Sequence, residues 1–315
     1  MNTLRDVLAE YLVVRRALGT QLREPARTLG HFVQFLEYEG QEFITTELAL
    51  RWARQPVGVQ PATWARRLTM VRRFAAWLSA FDRRTEVPPR NLIEARHRRN
   101  KPHIFTDQQI EQLMAEAARL DSPTGLRARS YVTLIGLLAA TGLRPGEALA
   151  LDERDVDLQN GVLAIRQTKF GKSRFVPVEH STRAALAQYA QRRDKLCPRP
   201  RTKAFLISER GRRLDGSAAR RTFAKMSCTV GLRRSGQGRR LGRGPRLQDF
   251  RHTFATRRLV EWYRAGFDVE REMPKLSTYL GHVDVAHTYW YIEAVPELLQ
   301  LATEHMHSRP KEGTR

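Results

Sequence analysis

Apolar residues recur three or four positions apart in the N-terminal part of the chain, the spacing of one face of an α-helix. This pattern predicts four amphipathic helices, over residues 3–19, 24–39, 45–52 and 61–78. Gly19 and Gly40 are suited to end the first two helices, and Pro61 is suited to begin the fourth. We therefore expect a four-helix unit at the N-terminus.

Residues 84–103 interrupt this pattern. Apolar residues become sparse, Pro88 and Pro89 stiffen the backbone, and basic residues crowd between Arg96 and Lys101. The composition predicts a basic linker between a helical domain, residues 1–83, and a second domain, residues 104–315.

The second domain begins with a predicted helix over residues 106–120, and further helices are predicted over 131–140 and 181–193. Residues 162–165 and 175–178 are short β-type runs joined by a polar segment, which predicts a β-hairpin. The hairpin is the only β element expected. The predicted fold class is therefore mainly α with a small β-sheet.

The chain is strongly basic, with 55 Lys and Arg residues and a formal net charge of +22 over 315 residues. Such a field attracts polyanions. The basic residues are spread over the whole length and are not gathered on one amphipathic helix, which favours nucleic acid over a lipid surface. Double-stranded DNA is thus the expected partner.

The two cysteines, Cys197 and Cys228, have no metal-binding spacing, so neither a disulfide framework nor a zinc site is predicted. No signal peptide is evident, and the longest apolar run, residues 131–143, is too short to span a bilayer. We expect a cytoplasmic protein with no membrane partner, which associates with the nucleoid when it is bound to DNA.

Two arginine-rich segments are candidate DNA contacts. The first is on the fourth helix and consists of Arg66, Arg67, Arg72 and Arg73. An ordinary solvated helix face is the alternative for this group. The second, residues 233–246, mixes arginine with glycine and includes Arg239, Arg240 and Arg243. It is interpreted either as a loop that becomes ordered on phosphate or as an insertion with no specific role.

Four motifs follow one another in the second domain. They are TGLRPGE at 141–147, TKFGKSR at 168–174, DFRHTFAT at 249–256, and LGH at 280–282 with Tyr291 nine residues after His282. A phenol can attack a phosphate when nearby donors take up the charge that develops on the phosphate oxygens. Each motif alone has an ordinary structural explanation, such as a helix cap at Arg144. Their common order and spacing favour a single site for phosphoryl chemistry.

These motifs resemble those of the tyrosine recombinase (phage integrase) family, which includes the Cre and Xer-type recombinases. The resemblance covers residues 104–300 in motif order, and the N-terminal unit is similar to the family's core-binding domain. It implies a helical, SAM-like core-binding domain followed by an α+β catalytic domain with a C-terminal tail helix.

The resemblance also implies roles for individual residues. Tyr291 would be the nucleophile, and Arg144 and Arg251 would hold the scissile phosphate. Two guanidinium groups can stabilise the developing charge without a metal, so no cofactor is expected. Tyr289, seven residues after His282, is the competing nucleophile.

Four further residues of the motifs receive roles in the same way. Lys169 would protonate the 5′ oxygen as it leaves, with Lys172 as the neighbour that could take its place. His282 would donate to the phosphate, and Glu147 would support Arg144. Lys172 and Arg174 are also counted as candidate DNA contacts.

The chain departs from the family pattern at Gln248, where the family usually has histidine. Glutamine can donate a hydrogen bond to phosphate, but it cannot accept and return a proton at neutral pH. Activity is therefore expected to be lower, or proton transfer falls to another group. His252 is the alternative for that role.

The expected activity is that of a site-specific recombinase or integrase, which breaks and rejoins DNA strands through a 3′-phosphotyrosine and serves a mobile element. A type IB topoisomerase-like strand transferase and a catalytically weak DNA-binding accessory protein are the alternatives. The resemblance further implies a tetramer on paired DNA sites, with other recombinases or accessory proteins as further partners.

A proline-initiated segment follows the tyrosine at once and predicts a tail helix. Its apolar stripe consists of Leu298, Leu299, Leu301 and Ala302. The stripe is expected either to fold back on its own domain or to dock into a neighbouring subunit. Docking into a neighbour would couple cleavage to assembly.

Overall fold

The computed structural model describes residues 3–19, 22–95, 101–166, 173–234 and 244–281, and a few positions beyond them: 284, 286, 288, 289, 298–300 and 303. The chain divides into two compact units, residues 1–100 and 101–315. Each unit has its own hydrophobic core.

The first unit contains four helices: α1 (Leu4–Ala17), α2 (Arg23–Tyr38), α3 (Thr46–Arg54) and α4 (Pro61–Leu78). Thr3 and Thr45 cap α1 and α3 with their side-chain oxygens, and Pro61 is the first residue of α4. The core is rich in aromatic rings; Phe32 and Trp52, for example, meet edge to face with their ring centroids 5.0 Å apart. The helical pattern of the sequence thus predicted these elements to within a few residues.

The segment predicted as a linker is partly built into the first unit. The Glu86 backbone N–H donates to the Ile44 carbonyl at 2.7 Å, and the Glu86 carboxylate accepts from the Thr46 N–H at 2.8 Å. Ile93 is buried in the core of the first unit, whereas Phe105 is buried in the core of the second. Residues 84–95 therefore belong to the first unit, while 96–100 lie outside the described residues.

The second unit is mainly helical. Its helices are α5 (Asp107–Ala118), α6 (Leu126–Thr141), α7 (Pro145–Ala150), α8 (His180–Leu196), α9 (Gly216–Thr229), α10 (Asp249–Arg264) and α11 (Val269–Leu280). The apolar helix α6 is central, because it packs against α5, α8 and α10. In the described part of the chain, no helix combines the length and apolar character needed to cross a bilayer.

A small antiparallel sheet lies between α7 and α8 in sequence. Its strands are β1 (Val156–Asp157), β2 (Val162–Ile165) and β3 (Arg174–Pro177), in the order β1-β2-β3. In the β2–β3 hairpin Val162 pairs with Pro177 and Ile165 with Arg174. The sequence predicted this hairpin but missed β1, because two residues are too few to show an alternating pattern. The residues that connect β2 to β3 include 167–172, which lie outside the described residues.

Gly142 ends α6 and turns the chain toward α7. Its φ of +60° is in the left-handed region, and a Cβ atom there would lie 2.6 Å from the Phe254 ring. Only glycine meets both requirements without strain. Two residues later the chain reaches Arg144, the residue that precedes α7.

Gly142→Ala should destabilise the protein by about 2–4 kcal/mol, because left-handed strain adds to the clash with Phe254. Gly125→Ala is the matched control at the other end of α6. Gly125 has φ +79°, but a Cβ there would meet nothing within 4 Å. It should therefore cost only about 1–2 kcal/mol. Urea denaturation measures both, and equal losses would contradict the close approach of Phe254.

Candidate active site

Glu147 lies between two arginines. Its Oε1 accepts a hydrogen bond from Arg144 Nη1 at 2.7 Å, and its two oxygens accept from Arg174 Nη1 and Nη2 at 3.2 and 2.8 Å. The side chains of Glu147, Arg174 and Arg144 are 8, 12 and 33% exposed. The carboxylate thus holds a two-point pair with Arg174 and supports Arg144 from the protein side, leaving Arg144 partly open to solvent.

The Glu147 carboxylate is ionised at neutral pH. Burial alone would raise the pKa of this carboxyl, but the hydrogen bonds and charge of Arg174, and then the hydrogen bonds of Arg144, outweigh burial and hold the pKa below its ordinary value of 4.5. A negative charge is therefore fixed between the two guanidinium groups.

The end of α11 accepts hydrogen bonds from three arginines. The successive carbonyls of Tyr279, Leu280 and Gly281 accept from Arg174 Nε at 2.8 Å, Arg251 Nη2 at 2.6 Å and Arg144 Nη2 at 3.1 Å. Carbonyls at a helix C-terminus have no partners within the helix and carry the negative end of its dipole. The three guanidinium groups satisfy these carbonyls and are held together by them.

Arg251 comes from the first turn of α10 and is almost completely buried, with 1% of its surface exposed. Its Nη1 also donates to the Gly142 carbonyl at 3.1 Å. Arg251 therefore ties the end of α6 to the end of α11. The turn that carries Arg144 is fixed by the same contact.

The cluster carries more positive than negative charge, since three guanidinium groups face one carboxylate. Arg174, Arg251 and Glu147 are largely buried, so water screens their charges poorly. Among residues with described positions, no three His, Cys, Asp or Glu side chains gather as a metal site would require. The chemistry of this cluster suits an anion such as a phosphate.

A basic cleft of about 720 Å³ adjoins the cluster on the side of Arg144. Gln248, the residue before α10, lines this cleft, whereas His252 does not. Further arginines on its wall are Arg166, Arg220, Arg221, Arg233 and Arg246. Arg233 and Arg246 are the two ends of the arginine-rich segment 233–246 that the sequence marked as a candidate DNA contact, whereas Arg166, Arg220 and Arg221 were not predicted. The adjacent pair Arg220 and Arg221 was a usable signal, but α9, which carries it, was not predicted.

The structure brings together Arg144, Glu147 and Arg251, and places Gln248 in the adjoining cleft. Seven further predicted residues of the second unit lie outside the described residues: Lys169, Lys172, Arg239, Arg240, Arg243, His282 and Tyr291. Arg174, which was predicted to contact DNA, is bonded to Glu147 and to the Tyr279 carbonyl, and 12% of its side chain is exposed.

The arginines of α4 do not form one common surface. Arg67 lies over the Trp52 ring at 3.7 Å from its centroid, and its Nη2 donates to the Trp52 carbonyl at 2.9 Å. Arg67 therefore packs within the first unit, contrary to its prediction as a DNA contact. Arg66 and Arg73 are exposed and Arg72 is partly buried; Arg66 pairs with Glu24 at 2.6 Å.

Two tyrosines other than Tyr291 are close to it in sequence. Burial raises the pKa of Tyr279 to about 12, so this phenol resists ionisation. Tyr289 is exposed. Burial raises the pKa of Tyr263, the charge of Glu270 raises it further, and Tyr289 makes the smallest contribution, so Tyr289 lies near Tyr263. Tyr263 is twelve residues beyond Arg251 on α10, or about 18 Å along the helix axis.

The comparison with protein families agrees with the order of the motifs. A model of the phage integrase family matches residues 103–297, more than half of the chain. The chain belongs to the phage integrase family of tyrosine recombinases. It is 44% identical over 318 residues to the putative integrase/recombinase y4rB of Sinorhizobium fredii (strain NBRC 101917 / NGR234), with 100% of both chains covered. It is 30% identical over 322 residues to the tyrosine recombinase XerD of Caulobacter vibrioides, with 97% of each chain covered.

Solved structures of integrases share the fold of this family member. The Tn1549 transposon integrase in complex with transposon right end DNA has a TM-score of 0.66 at 17% identity, covering 98% of this chain and 100% of that one. A lambda integrase dimer bound to a COC′ core site has a TM-score of 0.57 at 14% identity, covering 100% and 80%. The predicted fold class, mainly α with a small sheet, is confirmed.

Glu147→Gln should destabilise the protein by about 2–4 kcal/mol at pH 7, because two guanidinium groups lose their counter-charge. The folded-state pKa is below the unfolded value, so the carboxylate contributes its full stability above about pH 4.5 and loses it as the pH falls through the folded pKa. Urea denaturation between pH 7 and pH 3 measures the free energy of unfolding of wild type and variant. The difference between these two free energies should narrow below pH 4.5.

The control is Glu153→Gln. Glu153 pairs with Arg193 at 3.4 Å, but its side chain is half-exposed, so its loss should cost less than about 1 kcal/mol. A gap between wild type and Glu147→Gln that stays constant over the whole pH range would contradict the charged bridge.

Proposed function

We propose that the protein is a site-specific DNA recombinase or integrase, which cleaves and rejoins strands through a covalent 3′-phosphotyrosine. The observation that carries the proposal is the convergence of Arg144, Arg174 and Arg251 on the end of α11. His282 follows that helix end directly in the sequence, and Tyr291 follows nine residues later. Membership of the tyrosine recombinase family supports the same reaction.

In the proposed reaction the Tyr291 phenol oxygen attacks the scissile phosphorus and forms a new O–P bond. The bond from phosphorus to the 5′ oxygen of the next nucleotide breaks, and Lys169 donates a proton to that departing oxygen. The phenol proton is released to solvent or to a neighbouring acceptor. In the return step a 5′ hydroxyl attacks the phosphotyrosine and releases the phenol. The covalent link conserves the bond energy, so ATP is not needed.

Arg144 and Arg251 would neutralise the charge that develops on the non-bridging oxygens. Arg144 is the more accessible of the two, and Glu147 orients it without covering it. Arg251 is buried, so its charge acts with little screening by water, and a phosphate that reaches it would gain more than at a surface arginine. His282 would donate a further hydrogen bond to the same oxygens.

Double-stranded DNA is the proposed substrate. The cleft beside Arg144 has arginines along its wall, and the chain carries a net charge of +22. Of the structures that share this fold, the Tn1549 integrase is in complex with transposon right end DNA, and the lambda integrase dimer is bound to a COC′ core site. On the first unit, the proposed contacts are the exposed Arg66 and Arg73 together with Arg72.

Gln248 favours a second candidate function, a DNA-binding accessory protein with weak catalysis. Its side chain lines the cleft where the phosphate would bind, and an amide cannot act as a general base at neutral pH. Strand exchange is the preferred function, because the two arginines and their support are intact. Covalent trapping separates the two candidates, since an inactive accessory protein would bind DNA without becoming attached.

Of the apolar stripe in the tail, Leu298 and Leu299 lie in two different environments, while Leu301 and Ala302 lie outside the described residues. Leu298 is fully buried against α10 and α11 of its own chain, whereas Leu299 is about half exposed. The contact of Leu298 corresponds to the alternative in which the tail folds back on its own domain. The exposed Leu299 is the side chain we propose to dock into a neighbouring subunit when a tetramer assembles on paired sites.

Tyr291→Phe should abolish covalent attachment to a nicked suicide duplex and leave duplex binding within about threefold of wild type, because it removes one hydroxyl and no charge. Tyr289→Phe is the matched control and should still become attached. Denaturing gels measure attachment, and fluorescence anisotropy measures binding. Attachment by Tyr291→Phe, or its loss in Tyr289→Phe alone, would overturn the choice of nucleophile.

Leu299→Glu should prevent tetramer formation on a duplex with two sites, because it places a charge in the proposed subunit contact. Unfolding temperature and single-site binding should stay unchanged, since Leu299 is not part of the core. Gln300→Glu adds the same charge at the next position and is the control. Sedimentation velocity reports the assembly, and unchanged tetramers of Leu299→Glu would exclude this contact.

A further inference from the structure

Arg174 joins three parts of the site that are far apart in sequence. Its guanidinium makes a two-point pair with Glu147 of α7 and donates from Nε to the Tyr279 carbonyl of α11, while its backbone begins strand β3. We propose that Arg174 is a positioning residue that fixes the base of the β2–β3 hairpin and thereby controls proton donation by Lys169, which the segment between the two strands carries. This proposal rests on the function proposed above.

The contacts of Arg174 use the shape of its side chain and not only its charge. Nη1 and Nη2 face the two oxygens of one carboxylate, and Nε points to a carbonyl on a different helix. A planar guanidinium can serve both partners at once, whereas a lysine ammonium is a single point charge. Lysine at this position would keep the charge and lose one of the two connections.

Gly281 shows how closely the guanidinium packs on the end of α11. A Cβ atom at Gly281 would lie 2.8 Å from Arg174 Nη1 and 3.0 Å from Cζ. The guanidinium therefore lies directly against the backbone at Gly281, and its position has little freedom.

The position of Arg174 in the hairpin explains why its anchoring would affect Lys169. Arg174 is the first residue of β3 and pairs with Ile165, the last residue of β2, so the segment that carries Lys169 leaves and returns at this pair. Lys169 is five residues before Arg174 in the sequence. Displacement of a reacting group by about 1 Å can cost a factor of about 100 in rate. An anchor at the base of the hairpin therefore governs proton donation by Lys169.

The test compares two nicked suicide duplexes that differ in the leaving atom, either a 5′ oxygen or a 5′ sulfur at the scissile position. A thiol has a pKa of about 8.5, far below that of an alcohol, so sulfur leaves without a proton. A variant whose defect is the position of the general acid should recover on the sulfur duplex. Single-turnover attachment rates are measured on both duplexes with the same protein preparation, so their ratio does not depend on the folded fraction.

Arg174→Lys should attach about 10–100-fold more slowly than wild type on the oxygen duplex and within about threefold of wild type on the sulfur duplex. Lys169→Ala is the reference for loss of the acid itself and should show the same pattern, with a loss of about 100-fold or more on oxygen. Arg210→Lys changes an exposed arginine outside the cleft and should match wild type on both duplexes.

A second variant, Arg174→Gln, separates positioning from DNA contact. Loss of one phosphate contact would lower the slope of log Kd against log salt concentration by about 0.9. Arg174→Gln should leave this slope unchanged and show the same dependence on the leaving atom. Arg221→Gln, at an arginine of the cleft, should lower the slope.

If Arg174→Lys loses the same factor in attachment rate on both duplexes, or loses none on either, the positioning role is overturned. The proposed function still stands in that case, provided that wild type becomes attached. A lower salt slope for Arg174→Gln would also overturn it, in favour of a direct DNA contact. If wild type attaches to neither duplex, the proposed function fails, and the role of Arg174 fails with it.

Discussion

In the second unit, several guanidinium groups lie close together and are largely removed from water, and the surrounding structure has to compensate their charges. Like charges at short range repel, and a buried charge is costly unless it is paired and hydrogen-bonded. Glu147 pairs with two of the arginines, and the last carbonyls of α11 accept from all three. The arginines come from the start of α7, from β3 and from α10. The position of each of these elements therefore depends on its arginine contact with the end of α11.

This arrangement is also what makes the cluster suitable for phosphate chemistry. The donors are fixed before any ligand arrives, and little reorganisation is needed when negative charge develops. Glu147 cancels only part of the positive charge, and Arg144 keeps a third of its side chain exposed toward a cleft with further arginines. The same bonds that stabilise the fold thus leave an excess of positive charge where a DNA backbone would approach.

Much of this was predictable from the sequence, but not all of it. Helical periodicity identified α1 to α4, and the motif order identified Arg144, Glu147 and Arg251, because these patterns are local. The partners of Arg67 and Arg174 were not predictable: both residues stand in basic segments, and their partners, Trp52 and the Tyr279 carbonyl, are distant in sequence. Strand β1 was missed because it has only two residues.

The most direct test of the account is to identify the residue and the DNA end that become linked in wild-type protein. After trapping on a nicked suicide duplex, trypsin should release a DNA-linked peptide from Leu276 to Lys311, which contains Tyr279, Tyr289 and Tyr291. Fragmentation in a mass spectrometer should place the nucleotide on Tyr291, joined through a 3′ phosphate. A link to another residue, a link to a 5′ phosphate, or no covalent product would contradict the account.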